Sequence, residues 1–251
     1  MVGFMDREKI ESIQTSINTV KQKIDFAARS AKRDPEKIQL VIVTKMQPVD
    51  VIDAAISGGA RTFGENYTEE AIHKIAGISK NMEIKWHMIG HIQSRKVRHT
   101  CEYFDMVQSL DSLKLAHKLN IVCRNLERTI PCLLEINLSR EETKHGWQAE
   151  DEGSWEKLLS EFSQVIELPQ LRIMGLMTIP PLFENPEMVR PYYKKVIRLQ
   201  EYLKEKLSMI DWNELSMGTS ADYEVAIEEG ATIVRIGQAI FGPRLLKNLA
   251  L

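Results

Sequence analysis

Residues 214–241, ELSMGTSADYEVAIEEGATIVRIGQAIF, contain two successive strand–turn–helix units. The apolar runs Glu214–Gly218 and Thr232–Gly237 are typical of buried strands, and Tyr223–Glu229 between them has helical spacing. Such alternation predicts parallel βαβ units, because a crossover helix returns the chain so that the next strand runs in the same direction. The stretch therefore predicts an α/β fold.

The same alternation extends through most of the chain. Six further apolar runs precede residue 214: Leu40–Thr44, Ala60–Gly64, Ile84–Gly90, Met106–Ser109, Pro131–Asn137 and Leu171–Ile179. Helical spacing separates most of them, as at Val49–Ile56, Leu113–Cys123, Trp155–Ile166 and Met188–Leu207. A doubly wound open sheet fits this pattern, but eight strands in 251 residues favour a single (β/α)8 TIM-like barrel. We predict one domain over residues 1–251, with the barrel at about 38–244.

An extra helix is predicted before the first strand, at about 6–33. Apolar residues recur at alternating three- and four-residue steps from Ile10 to Ala31, which gives the helix one apolar stripe. We expect the stripe to pack on the barrel. A coiled-coil dimer helix is the alternative, although the repeat spans barely three heptads.

The composition excludes several classes of protein. Hydrophobic residues at 43% and charged residues at 27% are typical of a globular chain. The net charge of −2 argues against a nucleic-acid-binding protein, which usually has a basic excess. No apolar run approaches the ~20 residues that span a bilayer, and the first residues lack the apolar core of a secretory signal. Three cysteines without a CxxC pair favour a reducing cytoplasm.

The first candidate site residues follow the first two predicted strands, because chemistry in (β/α)8 barrels lies at the carboxyl ends of the strands. Lys45 ends the first strand; a solvated loop residue is its ordinary interpretation, and a Schiff-base lysine is the functional one. Asn66 follows the second strand, where it can aim an amide into the barrel mouth. The ordinary alternative is that Glu65 and Asn66 cap the next helix.

The last two strand ends carry the pattern of a phosphate site. In the turn Ser216–Asp222, small residues let backbone N–H groups approach an anion, and three hydroxyl groups add donors. Arg235-Ile236-Gly237 ends the next strand, and barrel phosphate sites often form from the loops after strands 7 and 8. An ordinary strand–turn–helix is the alternative. An amine, an amide and a phosphate cradle on one rim suit a phosphorylated aldehyde or ketone held as an imine.

The histidines of the third strand do not predict a metal site. His87 and His91 are four residues apart, but Gly90 interrupts a helical face and the HExxH glutamate is missing. We therefore expect no metal.

Eight segments carry a family resemblance: LVIVTK (40–45), FGENY (63–67), WHMIGHIQSRK (86–96), GLM (175–177), LSMG (215–218), SAD (220–222), VRIG (234–237) and IFGPR (240–244). In this order they resemble the pyridoxal phosphate (PLP) homeostasis proteins, which are related to the barrel domain of alanine racemase. The chain departs from the family pattern at Thr219, where Met is common, at Arg95, where Asn is common, and at Gln108-Ser109-Leu110-Asp111, which replaces His-Ser-Val-Asp.

The resemblance implies a single barrel that holds PLP as an imine on Lys45 and also through non-covalent contacts. It places Arg235 near the pyridine nitrogen, where a fixed cation disfavours ring protonation and makes the ring a poorer electron sink. The related racemases carry a second, β-rich domain that supplies a catalytic tyrosine, and we expect this protein to lack such a domain. The cofactor contacts that the resemblance implies are Lys45, Asn66, Met177, Ser216, Gly218, Ser220, Arg235 and Gly237.

We therefore expect a cytoplasmic protein of intracellular PLP (vitamin B6) homeostasis with little or no catalysis. Its expected partners are PLP and apo PLP-enzymes, without nucleic acid or membrane, and the chain is expected to be a monomer or a weak dimer. One alternative is a PLP-dependent amino-acid racemase or lyase, with His87 or Tyr67 as its second acid–base group. The other is a Schiff-base aldolase that acts on sugar phosphates without PLP. Lys144 is a candidate secondary PLP site.

Overall fold

The structure, a computed structural model, describes residues 7–78, 83–139, 141 and 144–243. Arg244, which belongs to the segment IFGPR (240–244), lies outside these residues. Strands and helices alternate along the described chain. The strands are β1 (Gln39–Val43), β2 (Thr62–Glu65), β3 (Lys85–Met88), β4 (Met106–Leu110), β5 (Ile130–Asn137), β6 (Trp147–Gln148), β7 (Leu171–Thr178), β8 (Glu214–Ser216) and β9 (Ile233–Ile236). The helices are α1 (Arg7–Ser30), α2 (Val49–Ser57), α3 (Thr68–Gly77), α4 (Val97–Tyr103), α5 (Leu113–Asn125), α6 (Trp155–Ile166), α7 (Arg190–Lys206), α8 (Tyr223–Glu228) and α9 (Gln238–Phe241).

Eight of the strands form a closed parallel barrel. They follow the order β1-β2-β3-β4-β5-β7-β8-β9, and β9 pairs with β1 to close the ring. The eight predicted apolar runs each overlap one of these strands, and the pairing of β9 with β1 confirms the closed barrel over the open sheet. The ninth strand, β6, lies outside the ring, where Trp147 pairs with Ile136 at the carboxyl end of β5.

The N-terminal helix packs on the barrel, as predicted. It lies against α2, α8 and α9. The stripe from Ile13 to Ala27 is buried, because it faces these helices and extends the outer core between strands and helices. The stripe is therefore not available for a coiled coil. That residues 1–251 form one domain stays a prediction.

A smaller core fills the inside of the barrel. Val41, Met106, Leu133, Met177 and Ile233 form this inner apolar group, separate from the outer core. Parallel strands buried on both faces carry apolar side chains toward both cores. None of the helices in the described part of the chain combines the length and apolar character that a membrane span requires.

Candidate functional site

Lys45 lies two residues beyond the end of β1, at the carboxyl rim of the barrel. Its side chain is half-buried. The next residue, Met46, has a backbone φ of 64°, which is uncommon for a residue with a side chain. The chain therefore turns sharply at the position that carries the candidate Schiff-base amine.

Three buried or partly buried charged groups hold the backbone on both sides of Lys45. Lys74 of α3 donates to the Thr44 carbonyl at 2.6 Å and to Glu65 Oε1 at 2.6 Å. The Thr44 hydroxyl donates to the same Glu65 oxygen at 2.6 Å. On the other side, the Met46 N–H donates to Glu70 Oε1 at 2.5 Å. We call Glu65, Glu70 and Lys74 the clamp, because together they fix the residues that flank Lys45.

The clamp lies in the protein interior. The side chains of Lys74 and Glu65 are 4% and 0% exposed, and Lys74 also pairs with Glu70 at 2.6 Å. Burial raises the pKa of Glu65 above its usual value, although the nearby Lys74 ammonium opposes this shift. Helix α3 starts at Thr68 without a side-chain cap, so the ordinary interpretation of Glu65 and Asn66 as its caps is wrong.

The turns after β8 and β9 form one hydrogen-bonded unit. The Ser220 hydroxyl accepts from the backbone N–H groups of Gly237 at 3.2 Å and Ala239 at 3.1 Å. The Arg235 N–H donates to the Gly218 carbonyl at 3.0 Å. Gly218 has a φ of 93°, and a Cβ there would lie 2.6 Å from that of Ala226. The turn is thus closed by contacts that a larger residue would break.

The unit also touches the strand that leads to Lys45. A Cβ on Gly237 would lie 3.1 Å from the Val43 carbonyl oxygen, at the end of β1. The predicted phosphate cradle and the predicted lysine are therefore on neighbouring strand ends.

A hydrogen-bonded chain of polar side chains crosses the barrel interior. Arg235 donates to the Ser216 hydroxyl and, at 2.8 Å, to the Thr178 carbonyl. Ser216 donates to Gln108 Oε1 at 2.6 Å, and the Gln108 amide lies 2.8 Å from His87 Nδ1. Arg235, Ser216, Gln108 and His87 are all buried. Burial lowers the pKa of Arg235 and lowers that of His87 to about 4.

A cavity of about 480 Å³ opens at the carboxyl end of β2, β3 and β5. Asn66 lines it, and the Asn66 Oδ1 atom is buried without a hydrogen-bond partner. Glu135 also lines the cavity, and burial together with the charge of Asp111 raises its pKa to about 7. Lys144 is on the same wall and pairs with Glu141 at 2.9 Å. A buried acceptor without a partner is a place where a ligand donor can bind.

The structure brings most of the predicted residues together. Ser216, Gly218, Ser220, Arg235 and Gly237 share the unit described above, and Met177 pairs in register with Ser216. Lys45 follows β1, which lies beside β9, and Asn66 follows β2 on its other side.

Of the two candidate acid–base residues of the racemase alternative, His87 lies apart from this group, whereas Tyr67 is next to Asn66. His87 lines a cavity at the amino ends of the strands together with Asp105, and Tyr67 is exposed on the wall of the mouth cavity.

The clamp and Gln108 were missed by the sequence reasoning. Glu70 and Lys74 are four residues apart on one helix, which is a signal for an ion pair, but that spacing is ordinary on exposed helices. The clamp differs from a surface ion pair because its side chains are buried. That burial depends on how α3 packs over the ends of β1 and β2.

The comparison with known proteins agrees with this geometry. The chain matches the alanine racemase N-terminal domain family over residues 16–244. A pyridoxal phosphate homeostasis protein of Haemophilus influenzae is 37% identical over 234 residues, covering 93% of this chain and 96% of that protein. The protein of the same description from Escherichia coli is 38% identical over 242 residues, covering 94% of this chain and 98% of its own.

Solved structures give the same relationship. PipY of Synechococcus elongatus with PLP bound superposes with a TM-score of 0.79 at 31% identity, covering 92% of this chain and all of that chain. An alanine racemase of Clostridium difficile, at 15% identity and a TM-score of 0.67, shares the fold over 95% of this chain and 57% of its own. This chain belongs to the pyridoxal phosphate homeostasis protein family, within the group defined by the alanine racemase N-terminal domain.

Proposed function

We propose that this chain binds PLP at the carboxyl rim of the barrel and serves intracellular PLP homeostasis with little or no catalysis. The observation that carries the proposal is the joined turn after β8 and β9, beside the strand end that precedes Lys45. PipY, a relative with the same fold, has PLP bound in its solved structure.

The residues present fit the cofactor. Gly237 and Ala239 offer N–H groups that already converge on one oxygen atom, the Ser220 hydroxyl, and a phosphate accepts the same kind of donors. The unpartnered Asn66 Oδ1 provides an acceptor beside the mouth cavity. When bound, PLP supplies an aldehyde that condenses with a lysine amine, and Lys45 is the amine that we assign to it.

Arg235 limits the carbanion chemistry that the cofactor can support. Its guanidinium has donors and no acceptor, so it cannot take a hydrogen bond from a protonated pyridine nitrogen. We propose that it faces that nitrogen, as the family resemblance implies, and keeps the ring unprotonated. Such a ring stabilises carbanions poorly. Its hydrogen bonds to Ser216 and Thr178 hold the guanidinium in place.

The position of His87 also argues against the racemase alternative. A pKa of about 4 keeps the imidazole neutral near pH 7, and its Nδ1 atom is engaged by Gln108. It lines the cavity at the amino ends of the strands, opposite the rim that carries Lys45. His87 is therefore badly placed to exchange a proton with a substrate at the rim.

Covalent loading provides the first test. We expect the purified protein to absorb visible light after PLP addition, and Lys45→Ala to lose that band. Borohydride reduction followed by peptide mass spectrometry should find the PLP adduct on Lys45. Lys118→Ala, a lysine on the outer helix α5, is the control and should keep the band. A protein that stays colourless with PLP, or an adduct on another lysine, would contradict the proposal.

Turnover is tested separately. The PLP-loaded protein is incubated with a panel of L-amino acids, and chiral chromatography follows the D-isomers and any new products. We expect no change above the level of free PLP. Turnover at ordinary enzyme rates of about 1–1,000 per second that disappears in Lys45→Ala would establish the racemase or lyase alternative.

A further inference from the structure

Two histidines and an aspartate meet at the barrel rim, outside the residues assigned to PLP. The His91 Nδ1 atom lies 2.8 Å from Asp111 Oδ2, and the His145 Nδ1 atom lies 3.9 Å from the same oxygen. Their three candidate ligand atoms all lie within 4.8 Å of one another. We propose that His91, Asp111 and His145 bind a divalent transition metal ion of the Zn²⁺ class.

The chemistry of the three groups fits such an ion. Imidazole nitrogen and carboxylate oxygen are the ligands that Zn²⁺ takes besides thiolate. Ligand atoms bonded to one tetrahedral Zn²⁺ at ~2.0–2.1 Å lie about 3.3 Å apart. The 2.8 Å separation is a hydrogen bond and needs to lengthen by about half an ångström for a shared ion, and the 3.9 Å separation needs to shorten by about as much. The His145 side chain is 52% exposed, so its ring has room to move.

An ion pair alone explains only part of the arrangement. One histidine is enough to pair with Asp111, yet the rings of His91 and His145 stack at a centroid distance of 3.7 Å and an angle of 9°. Both Nδ1 atoms therefore approach one carboxylate oxygen, although at 3.9 Å the second makes no hydrogen bond to it. A shared ion requires the exposed His145 ring to turn out of this stack, because an imidazole nitrogen binds a metal ion in the plane of its ring.

The three residues belong to separate segments, which follow β3, follow β4 and lead into β6. Asp111 directly follows β4, its side chain is only 8% exposed, and its Oδ1 atom accepts from the Ser112 hydroxyl at 2.9 Å. This hydrogen bond orients the carboxylate so that Oδ2 faces the histidines. Hydrogen bonds from neighbouring groups commonly orient metal ligands in this way. The carbonyl before His91, that of Gly90, accepts from the Ser109 hydroxyl at 2.6 Å.

His145 is positioned by the segment that leads into β6. The Lys144 carbonyl accepts from the Asn137 amide at 3.3 Å. Gly146 has a φ of 100°, and a Cβ there would lie 2.6 Å from the Glu135 carbonyl oxygen, so this part of the chain packs closely on β5.

The metal would lie at the edge of the mouth cavity. His91 and His145 both line that cavity. Three protein ligands leave a coordination position open to water or to an anionic ligand, as in exchangeable rather than purely structural zinc sites. The proposal does not depend on PLP binding, since none of the three residues is assigned to the cofactor.

Metal titration of the full-length chain, prepared without a polyhistidine tag and treated with a chelator, tests the proposal. Zn²⁺ binding is measured by calorimetry, and Co²⁺ serves as a probe through its visible absorption. We expect one ion per chain in the wild-type protein. His91→Ala, His145→Ala and Asp111→Asn should each weaken Zn²⁺ binding at least ~10-fold.

The controls separate this site from surface histidines. His73→Ala/His117→Ala removes two exposed histidines on α3 and α5 and should leave Zn²⁺ affinity unchanged. Circular dichroism verifies that each variant is folded, and the exposed position of His145 makes His145→Ala the least disruptive of the three. Equal affinity in wild type and His145→Ala, or loss of binding in the control, would overturn the proposal.

Discussion

At the scale of single residues, the buried ion pair between Lys74 and Glu65 supports the rim that carries Lys45. Lys45 and Asn66 stand out because they follow apolar runs that end in one place. Glu65 is next to Asn66 in the sequence, yet its role depends on Lys74, which reaches it from the following helix, α3. Only the folded structure shows that the two side chains are buried together.

The clamp leads to a stability prediction. Lys74→Met removes the partner of a fully buried carboxylate, and breaking one side of a buried pair leaves an uncompensated charge. We expect the free energy of unfolding to fall by about 3–5 kcal/mol in urea denaturation at pH 7. Adding Glu65→Gln to this variant should recover part of the loss, because the unpaired charge is then gone.

An exposed pair provides the matched control. Lys23 and Glu224 lie 3.3 Å apart with side chains 55% and 44% exposed, so Lys23→Met should cost no more than about 1 kcal/mol. If Lys74→Met costs as little as Lys23→Met, the clamp does not stabilise the rim.

At the scale of elements, the sequence pattern predicted the barrel strands and the long helices, but it gave no bounds for α3 and missed β6. The buried positions of α3 include Lys74, so its buried stripe is interrupted by a charge and the apolar repeat is weak. The strand β6 has two residues and exists only through pairing with Ile136 and Asn137. A two-residue strand is too short for an alternating pattern, which is why periodicity could not reveal it.

The contact between two strand ends gives the next prediction. A Cβ on Gly90 would lie 2.6 Å from both the Cα and the carbonyl oxygen of Asn66, and backbone atoms cannot rotate away as a side chain can. Gly90→Ala should therefore separate the β2 and β3 ends and displace Asn66 from the rim. We expect a loss of about 1–3 kcal/mol in stability and weaker PLP binding, measured by thermal unfolding and absorbance titration.

Gly153→Ala is the control for this substitution. The nearest atom to a Cβ there is an Asp151 carboxylate oxygen at 3.4 Å, and the change should be nearly neutral. Full PLP affinity in Gly90→Ala would mean that Asn66 does not contribute to binding.

At the scale of the whole molecule, the closure of the barrel could be predicted from the number of strands, but the polar chain inside the barrel could not. Gln108 stands where the family commonly has His. The sequence alone gave no reason to connect it with Ser216, which lies far along the chain. In the structure it links His87 on β3 to Ser216 on β8, and through Ser216 to Arg235. The interior polar chain thus spans both sides of the barrel and ends at the arginine that we assign to the cofactor.

This interior chain predicts how stability depends on pH. Burial lowers the pKa of His87 to about 4 in the folded protein, against about 6.5 when unfolded. Between these values the unfolded chain binds the proton and the folded chain does not, so acid favours unfolding. The stability that His87 contributes is complete above pH 6.5 and is lost as the pH falls toward 4. A difference of about 2.5 pKa units corresponds to roughly 3 kcal/mol.

Urea denaturation across pH 4–8 measures this effect as a difference between variants. Carboxylates also titrate in this range, but they do so in every variant, so subtracting the curves isolates residue 87. His87→Gln removes the titrating ring, and its stability should fall by roughly 3 kcal/mol less than that of the wild type between pH 6.5 and 4. His99→Gln, on the exposed face of α4, should keep the wild-type slope. Parallel curves for His87→Gln and the wild type would show that protonating His87 does not break the interior chain.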